Sequence, residues 1–317
     1  MKKALIVGIS GQDGAYLAEV LLNNNYIVFG TSRDAQLNSF NNLSKLGINE
    51  KIKCFSMAPT DFRSILQVLK QTEPDEVYNL SGQSSVGLSF EQPVETFESI
   101  TVGTLNLLEA IRFSNPSIKF YNASSSECFG NSEEPANEKT PFEPRSPYAA
   151  AKAAAHYIVS NYREAYNIFA CSGILFNHES PLRSSRFVTK KIISNAYYIA
   201  NGSKEKLTLG NLNIIRDWGW APEYVKAIYL MLQNKNPEDF VIATGESNSL
   251  KDFVAETFKK FNLNWEEHCT IDEVLKRPTD IYVSKGNPSK AKNILNWEAK
   301  FKMKDIISLM INNKNDE

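Results

Sequence analysis

The amino-acid sequence predicts an α/β fold, in which a doubly wound parallel sheet is followed by a smaller C-terminal lobe of mixed structure. Three observations support this prediction. The first half alternates short apolar runs with amphipathic helical patterns, as a parallel sheet covered on both faces requires. Polar clusters follow the apolar runs, after Val7, Thr31, Leu80 and Ala123, where such sheets bind their ligands. From about Asn177 the alternation becomes less regular.

The elements of the sheet can be assigned in chain order. Strands are predicted at "KALIVGI", "IVFGTS", "IKCFSM", "EVYNLS" and "IKFYNAS", with helices at "GAYLAEVLLNNNY", "FRSILQVLKQT" and "GTLNLLEAIRFSN". The stretches "HESPLRSS", "LGNLNIIRDWGW" and "LKRPTDIYVS" are predicted to be loop-rich, and "WAPEYVKAIYLMLQN" is predicted to be a helix that returns to the main fold. We therefore expect one domain over residues 1–176, to which 212–245 return, and a second lobe over 177–211 and 246–317.

Composition limits the class of protein. The 317 residues carry a formal net charge of −1 with both signs interspersed, so a nucleic-acid partner is not expected. No apolar run approaches the roughly 18 residues of a membrane span, so no membrane partner is expected. The four cysteines are far apart and histidine occurs three times, which argues against a disulfide framework or a metal site. These features predict a cytoplasmic enzyme.

The loop "GISGQDG" predicts a dinucleotide site. It places Gly8, Gly11 and Gly14 between the first strand and the first helix. Glycines at this point allow a tight turn and let backbone N–H groups approach a pyrophosphate at the helix N-terminus. The position of the loop inside the first β-α-β unit predicts a Rossmann-type domain.

The end of the second strand bears on the choice between NAD and NADP. An NAD-binding protein usually has an acidic side chain there, which holds the ribose 2′-hydroxyl. Here Thr31 takes that place and Arg33 follows it, and an arginine suits the 2′-phosphate of NADP. The neighbouring Asp34 weakens this interpretation, because it can pair with Arg33 or repel a phosphate. NADP is the predicted cofactor.

The motif "SPYAAAK" predicts half of an active site. Tyr148 and Lys152 are four residues apart and share a face if the segment is helical. The charge of Lys152 would lower the phenol pKa, so that Tyr148 can act as a base. "NASSSECFG" adds Ser125, which could hydrogen-bond the substrate oxygen, and Glu127, which could remove a proton next to a ketone. A dehydrogenase needs no such carboxylate, whereas an elimination does, so the set favours a dehydratase.

The chain resembles the extended short-chain dehydrogenase/reductases, and within them the GDP-mannose 4,6-dehydratases. The resemblance extends from about Lys3 to the "FKMKDIISLM" near the end. It depends on strings that include "GISGQDGAYLAEVLL", "SSSECFG", "PFEPRSPYAAAK", "NYREAYNIFACSGILFNHESP", "LGNLNIIRDWGWAPEYV" and "RPTD". "GQDG" and "NHESP" discriminate far better than the glycines or the tyrosine–lysine spacing alone.

The resemblance implies a redox-neutral reaction with retained NADP, in which GDP-mannose becomes GDP-4-keto-6-deoxymannose. Tyr148 would deprotonate the C4 hydroxyl as hydride leaves C4, Glu127 would take the C5 proton, and water would leave C6 before hydride returns there. Residues implied to bind the cofactor are Gly8, Ser10, Gly11, Gln12, Asp13, Gly14, Arg33, Leu80, Ser81, Gly82, Gln83, Ser84, Tyr148, Lys152, His178 and Arg183. Residues implied to bind the GDP-sugar are Ser85, Asn177, Phe187, Lys191, Leu209, Arg216 and Arg277.

Some positions depart from the family pattern and leave alternatives open. Ser125 stands where threonine is common, Ser85 where histidine is usual, and Glu95 replaces a usual tyrosine near the cofactor. These departures suggest a divergent branch, and a manno-heptose carried on GDP is the alternative to mannose as its sugar. An NADPH-dependent GDP-4-keto-sugar reductase or epimerase is the rival of the same fold, and a non-catalytic NADP-binding protein is the rival of another class. The resemblance also implies a homodimer or homotetramer.

Overall fold

The computed structural model describes residues 1–275 and 277–312. Within them a central sheet of seven parallel strands has the order β11-β7-β5-β4-β1-β2-β3, and three smaller sheets have the orders β12-β10-β8, β13-β9 and β14-β6. The strands are β1 (Lys3–Val7), β2 (Ile27–Ser32), β3 (Lys53–Ser56), β4 (Glu76–Asn79), β5 (Lys119–Ser125), β6 (Ser132–Ala136), β7 (Ala170–Leu175), β8 (Asn177–Glu179), β9 (Leu207–Leu209), β10 (Ile215–Trp220), β11 (Phe240–Ile242), β12 (Ser247–Ser249), β13 (Cys269–Ile271) and β14 (Ser284–Gly286).

Helices cover both faces of the central sheet. They are α1 (Gln12–Asn23), α2 (Asn41–Lys45), α3 (Phe62–Thr72), α4 (Val86–Glu91), α5 (Pro93–Phe97), α6 (Gly103–Ser114), α7 (Pro147–Tyr166), α8 (Val188–Ala200), α9 (Ala221–Gln233), α10 (Leu250–Lys260), α11 (Trp265–His268), α12 (Ser289–Leu295) and α13 (Met303–Asn312). A π-helical turn, Glu98–Val102, joins α5 to α6. Short 3₁₀ helices lie at Asn49–Lys51, Ser126–Phe129 and Glu273–Leu275. None of the helices in the described ranges is both long and apolar enough to span a bilayer.

The period-two geometry of strands explains the two cores of the sheet. On β1, Ala4 and Ile6 pack with α1 and α9, whereas Leu5 and Val7 pack on the other face with α3, α6 and α7. The strand sequences are therefore apolar at successive positions, as parallel strands buried on both faces require. Because every strand of this sheet runs in the same direction, their carboxyl ends meet at one edge.

A separate core lies in the C-terminal part of the chain. It joins buried side chains of α8, β9, β10, α10 and α13, among them Trp218 and Phe253. The predicted smaller lobe contains α8, β9, α10 and α13 but not β10, which the prediction gives to the first domain. Residues 276 and 313–317 of this lobe lie outside the described residues. The predicted returning helix is α9, which packs with α1 on the face of the sheet that carries Ala4 and Ile6 of β1.

One prediction of a loop is wrong. Within "LGNLNIIRDWGW", Ile215–Trp220 forms the buried strand β10, which pairs with β8 and β12. Arg216 and Asp217 are 4% and 0% exposed, so the strand lacks the polar–apolar alternation of a half-buried strand. Asp217 is tolerated inside because it accepts hydrogen bonds from the N–H groups of Thr244 (2.9 Å) and Gly245 (2.8 Å).

Candidate active site

The glycine loop between β1 and α1 forms a backbone cradle. Gly8 has φ of +91°, and a Cβ there would lie 3.0 Å from backbone atoms of Leu80 and Ser81. A Cβ at Gly14 would lie 2.6 Å from the carbonyl oxygen of Gly8. The N-cap residue of α1 is Gly11, which provides no side-chain cap. A helix N-terminus without a side-chain cap, approached by a loop that excludes Cβ atoms, fits the pyrophosphate of a dinucleotide.

Asp13 and His178 form a largely buried ion pair next to this loop, with the Asp13 side chain 22% exposed. The Nε2 of His178 lies 2.9 Å from Oδ2 of Asp13, and its Nδ1 lies 2.7 Å from the carbonyl oxygen of Phe176. Both neighbours can only accept hydrogen bonds, so both ring nitrogens carry protons and the ring is an imidazolium. The ring also stacks on Tyr224, with centroids 4.7 Å apart. Both nitrogens of His178 are thus engaged by the protein itself.

The pKa values of this pair shift in the directions that an ion pair requires. Burial raises the pKa of Asp13, but the charge of His178 and hydrogen bonds from His178 and Gln12 outweigh burial and lower it to about 2. Burial lowers the pKa of His178, but the charge and hydrogen bond of Asp13 outweigh burial and raise it. Each group therefore favours the charged form of the other.

Gln12 fastens the first turn of α1 to the segment that follows β8. Its Nε2 donates to the carbonyl oxygen of His178 (3.3 Å) and to Oδ1 of Asp13 (3.0 Å). Its Oε1 accepts from the hydroxyl of Ser180 at 2.7 Å. On the other side of the loop, the carbonyl oxygen of Ser10 accepts from the side chain of Asn42 at 2.9 Å. The string "GQDG" therefore holds the cradle in place through its side chains.

The segment 80–84 follows β4 at the same edge of the sheet. Leu80 donates its N–H to the carbonyl oxygen of Val7 at 2.9 Å, and Gly82 has φ of +110°. Ser81 is held by the side chain of Asn79 at 2.7 Å. The side chain of Gln83 donates to the carbonyl oxygen of the N-cap residue of α4, Ser85, at 2.8 Å. Ser84 lies between these fixed positions, so the segment is ordered next to Gly8.

Tyr148 and Lys152 share one face of α7. The helix begins with Ser146 as N-cap, whose hydroxyl accepts from the N–H of Ala149 at 3.0 Å. The Nζ of Lys152 lies 5.9 Å from the centroid of the Tyr148 ring and donates to the carbonyl oxygen of Ala123 at 2.7 Å. This hydrogen bond ties the lysine to β5, so the tyrosine lies beside the carboxyl end of that strand.

Burial dominates the pKa values of both side chains. It raises the pKa of Tyr148, although a hydrogen bond with the side chain of Ser125 and the charge of Arg183 oppose the rise. Burial lowers the pKa of Lys152 to about 8. A phenol in this environment stays protonated at neutral pH unless positive charge is added next to it.

Ser125 and Glu127 lie at the end of β5. The hydroxyl of Ser125 accepts from the N–H of Glu127 at 3.3 Å and so caps the short 3₁₀ helix. The charge of the half-buried carboxylate of Glu127 adds to the rise that burial causes in the pKa of Tyr148, and it opposes the fall that burial causes in the pKa of Arg216. A single carboxylate is therefore within electrostatic reach of the tyrosine on α7 and of an arginine on β10. The strand end brings an acid, a hydroxyl and a phenol together.

Arg33 directly follows the carboxyl end of β2. Its side chain is 83% exposed, and its guanidinium lies 3.6 Å from Oε1 of Glu95 on α5. Asp34 does not pair with it in the structure: Oδ1 of Asp34 accepts instead from the N–H groups of Gln36 (2.9 Å) and Leu37 (3.1 Å).

Arg183 lies over the aromatic ring at the start of α8. Its guanidinium is 3.6 Å from the ring centroid of Phe187, and its Nε is 3.2 Å from Oε2 of Glu179. Glu179 also accepts from the hydroxyl of Thr189 at 2.7 Å. Asn177 begins β8, two residues before this glutamate. These contacts fix the arginine at the junction between the central sheet and the C-terminal core.

Arg216 and Arg277 converge on one carboxylate. Each has a guanidinium nitrogen 3.6 Å from Oδ1 of Asp280. Burial lowers the pKa of Arg216, while the charges of Glu127 and Asp280 oppose that effect. The side chain of Arg277 is 36% exposed, so the pair has one buried and one open member. Two adjacent guanidinium groups suit a diphosphate.

Lys191 and Leu209 lie on either side of a short sheet edge. The Nζ of Lys191 donates to the carbonyl oxygen of Thr208 at 2.7 Å. Leu209 is 2% exposed with its side chain in the C-terminal core, and its carbonyl oxygen accepts from the N–H of Asp272 at 2.8 Å. The side chain of Leu209 therefore supports this edge from inside.

Comparisons with known proteins show the family to which the chain belongs. The family model described as GDP-mannose 4,6 dehydratase matches residues 5–310. The GDP-mannose 4,6 dehydratase 1 of Arabidopsis thaliana is 44% identical over 320 residues, 98% of this chain and 89% of that protein. The human GDP-mannose 4,6 dehydratase is 42% identical over 334 residues, 97% of this chain and 90% of that protein. The chain belongs to the GDP-mannose 4,6-dehydratase family.

Solved structures show the same fold at lower identity. A dTDP-glucose 4,6-dehydratase from Bacillus anthracis, in complex with NAD, has a TM-score of 0.88 at 18% identity and covers 100% of this chain and 97% of that one. A UDP-glucose 4-epimerase from Thermus thermophilus, also with NAD, has a TM-score of 0.86 at 23% identity, with 99% of each chain covered. The predicted fold class, the resemblance and the enzyme class, a lyase of the GDP-mannose 4,6-dehydratase type, are confirmed.

Two features of the GDP-mannose 4,6-dehydratase site were not predicted from the sequence. Asp280, which both arginines approach, stands three residues after Arg277 in "RPTD", and the acid within that motif was the available signal. Ser180, which holds Gln12, has no comparable signal, because a serine in a loop is common.

Proposed function

We propose that the protein converts GDP-mannose to GDP-4-keto-6-deoxymannose with tightly bound NADP. The observation that carries this proposal is the place of Glu127 on the Ser125-capped 3₁₀ helix at the carboxyl end of β5, within electrostatic range of Tyr148 and Arg216. A ketone-forming site needs a phenol and a lysine, and an elimination needs a carboxylate beside them. When bound, NADP accepts hydride from C4 and returns it to C6, which makes the reaction redox-neutral.

Tyr148 takes the proton of the C4 hydroxyl in this proposal. Burial alone keeps the phenol protonated, so the positive charges of Lys152 and of the oxidised nicotinamide, when it is bound, would favour the phenolate that then accepts the C4 proton. Lys152 keeps its place through the hydrogen bond to the carbonyl oxygen of Ala123. The hydroxyl of Ser125 orients the C4 oxygen, because it lies at the strand end beside the tyrosine.

Glu127 removes the proton at C5, which the C4 ketone acidifies, and passes it to the hydroxyl that leaves C6 as water. When hydride reaches C6, the proton that Tyr148 took from the C4 hydroxyl returns to C5, which restores both side chains. A half-buried carboxylate beside the substrate can act in both directions in sequence. The backbone of Glu127 is held by the Ser125 cap, so the carboxyl group is presented on a fixed short helix rather than on a mobile loop.

Arg216 and Arg277, which both approach Asp280, are proposed to bind the diphosphate of GDP. The remaining residues proposed to bind the GDP-sugar are Ser85, Asn177, Phe187, Lys191 and Leu209. The glycine loop, the segment 80–84, Arg33, Arg183 and the Asp13–His178 pair would hold the cofactor. The corresponding division of the chain is 1–176 with 212–245 for NADP, and 177–211 with 246–317 for the sugar nucleotide. Helices α8, α10 and α13 in the separate C-terminal core support the second part of this division, although Trp218 and Trp220 of β10, which fall in the first part, also lie in that core.

We also propose that the protein is a homodimer or homotetramer in the cytoplasm. An apolar stripe supports the first part: Val94, Phe97, Val102 and Leu105 are 68%, 39%, 41% and 36% exposed along one helical run. Exposed apolar stripes of this kind are typical of association surfaces. The four cysteines are free thiols, which suits a reducing compartment.

Mass spectrometry of the purified protein with its own cofactor tests the function. The protein is incubated separately with GDP-mannose and with GDP-manno-heptose, without added dinucleotide. Loss of one water from GDP-mannose, with no net change in NADPH, is the expected result. Loss of water from the heptose alone would replace the proposed sugar. If neither substrate loses water but added NADPH is consumed when a 4-keto GDP-sugar is supplied, the protein is a reductase and the proposed dehydratase activity is wrong.

A further inference from the structure

The end of β2 carries one cation, Arg33, and one acid, Asp34, whose Oδ1 is engaged by its own turn. Thr31, at the position where an acid would hold a ribose 2′-hydroxyl, is 1% exposed and uncharged. The hydroxyl of Ser32 accepts from the side chain of Asn38 at 2.9 Å. The carboxylate of Asp34 is held by two N–H groups of its own turn. Among the side chains at this strand end, Arg33 is therefore the group suited to read the 2′ position.

Glu95 reaches Arg33 from a different part of the chain. It belongs to α5, which follows the segment after β4, and its carboxylate lies 3.6 Å from the guanidinium. The side chains are 83% and 53% exposed, so neither is locked in place by packing. A bound 2′-phosphate and the Glu95 carboxylate would therefore contend for the same guanidinium.

We propose that Glu95 sets the cofactor preference of this protein by competing with the 2′-phosphate of NADP for Arg33. The inference rests on the proposed function, in which NADP is the cofactor. NAD has a neutral hydroxyl at the 2′ position, so its binding does not require Arg33 to leave Glu95. The ion pair thus weakens the binding of NADP but not that of NAD, and it reduces the preference for NADP over NAD that Arg33 confers.

The size of the effect follows from the exposure of the pair. Exposed ion pairs contribute on the order of a two- to five-fold change in an equilibrium constant. Removing the Glu95 charge should therefore raise the preference for NADP by about two- to five-fold. The gain should shrink as ionic strength rises, because both groups are in water.

Competitive loading of the two dinucleotides tests the proposal. Purified protein is equilibrated with a fixed mixture of excess NADP and NAD, freed of unbound nucleotide, and the bound dinucleotides are released and quantified. Glu95→Gln should raise the bound ratio of NADP to NAD. Glu98→Gln, which removes an exposed charge on the π-helical turn that follows α5, is the matched control and should leave the ratio unchanged.

The Arg33→Ala background shows whether Glu95 acts through the arginine. Arg33→Ala should lower the ratio, and adding Glu95→Gln to it should have no further effect. An unchanged ratio in the single Glu95→Gln variant, or an equal gain in the Arg33→Ala background, would overturn the proposal while leaving the proposed function in place. Wild-type protein that binds neither dinucleotide would overturn both.

Discussion

Replacing Asp13 by asparagine should destabilise the protein, because it removes one partner of the buried Asp13–His178 pair. The two side-chain atoms are 2.9 Å apart, and the imidazolium keeps an acceptor on its other side. The pKa of Asp13 falls from 3.8 to about 2, which corresponds to about 2 kcal/mol of stability. We therefore expect Asp13→Asn to lower the free energy of unfolding by about 2–3 kcal/mol at pH 6.

The pH window of this effect follows from the two shifts. The folded-state pKa of Asp13 is depressed, so its contribution is present above pH 3.8 and is lost as pH falls through about 2. The pKa of His178 is raised above 6.5, so its contribution is complete below 6.5 and is lost as pH rises through the raised value. The full contribution of the pair is thus present between about pH 4 and 6.5, and the cost of Asp13→Asn should decrease at alkaline pH.

Equilibrium urea unfolding at pH 6 measures the effect. The comparison includes wild type, Asp13→Asn, His178→Gln and the double variant, since a double-mutant cycle isolates the coupling between the two side chains. We expect a coupling free energy of about 2 kcal/mol. Glu50→Gln, an exposed acid, is the control and should change stability by less than about 0.5 kcal/mol. A coupling near zero would refute the assignment of His178 as the charged partner.

Three further predictions concern chemistry and cofactor binding. Glu127→Gln should lower kcat for dehydration by about 10²- to 10⁴-fold, while calorimetry still detects binding of NADP and GDP-sugar. A wild-type rate would contradict the role of Glu127. The control Glu134→Gln, at an exposed position, should leave kcat unchanged. Because the pKa of Lys152 is lowered to about 8, kcat should fall as pH rises through 8, and Lys152→Arg should move this limb upward; an unmoved limb in the pH–rate profile would exclude the lysine as its source. Gly14→Ala should abolish retention of NADP on the purified protein, because the new Cβ would lie 2.6 Å from the carbonyl oxygen of Gly8. Gly11→Ala should retain NADP, because the Cβ there would lie 3.4 Å from the same oxygen. Equal loss of NADP in both variants would show that the space for a Cβ does not determine cofactor retention.

The sequence predicted the central sheet well because its signals are local. The predicted strand "IVFGTS" is β2 and the predicted helix "FRSILQVLKQT" is α3, residue for residue. Burial of successive residues on opposite faces of a parallel strand produces a continuous apolar run, and a helix with one buried face produces the 3.6-residue period. The same rules failed for β10, because Arg216 and Asp217 are both buried polar residues with internal partners.

The sequence by itself determined which local geometries are available. The glycine loop predicts a cradle because glycines allow a tight turn and a close approach of the backbone, and the tyrosine–lysine spacing predicts a shared helix face because four residues make about one turn. The tertiary structure decided which distant groups meet. Asp13 and His178 are 165 residues apart in the chain, and Arg33 meets Glu95 rather than its neighbour Asp34. Such pairings depend on where tertiary packing places the loops and strand ends, and a sequence pattern with a period of a few residues does not encode these positions.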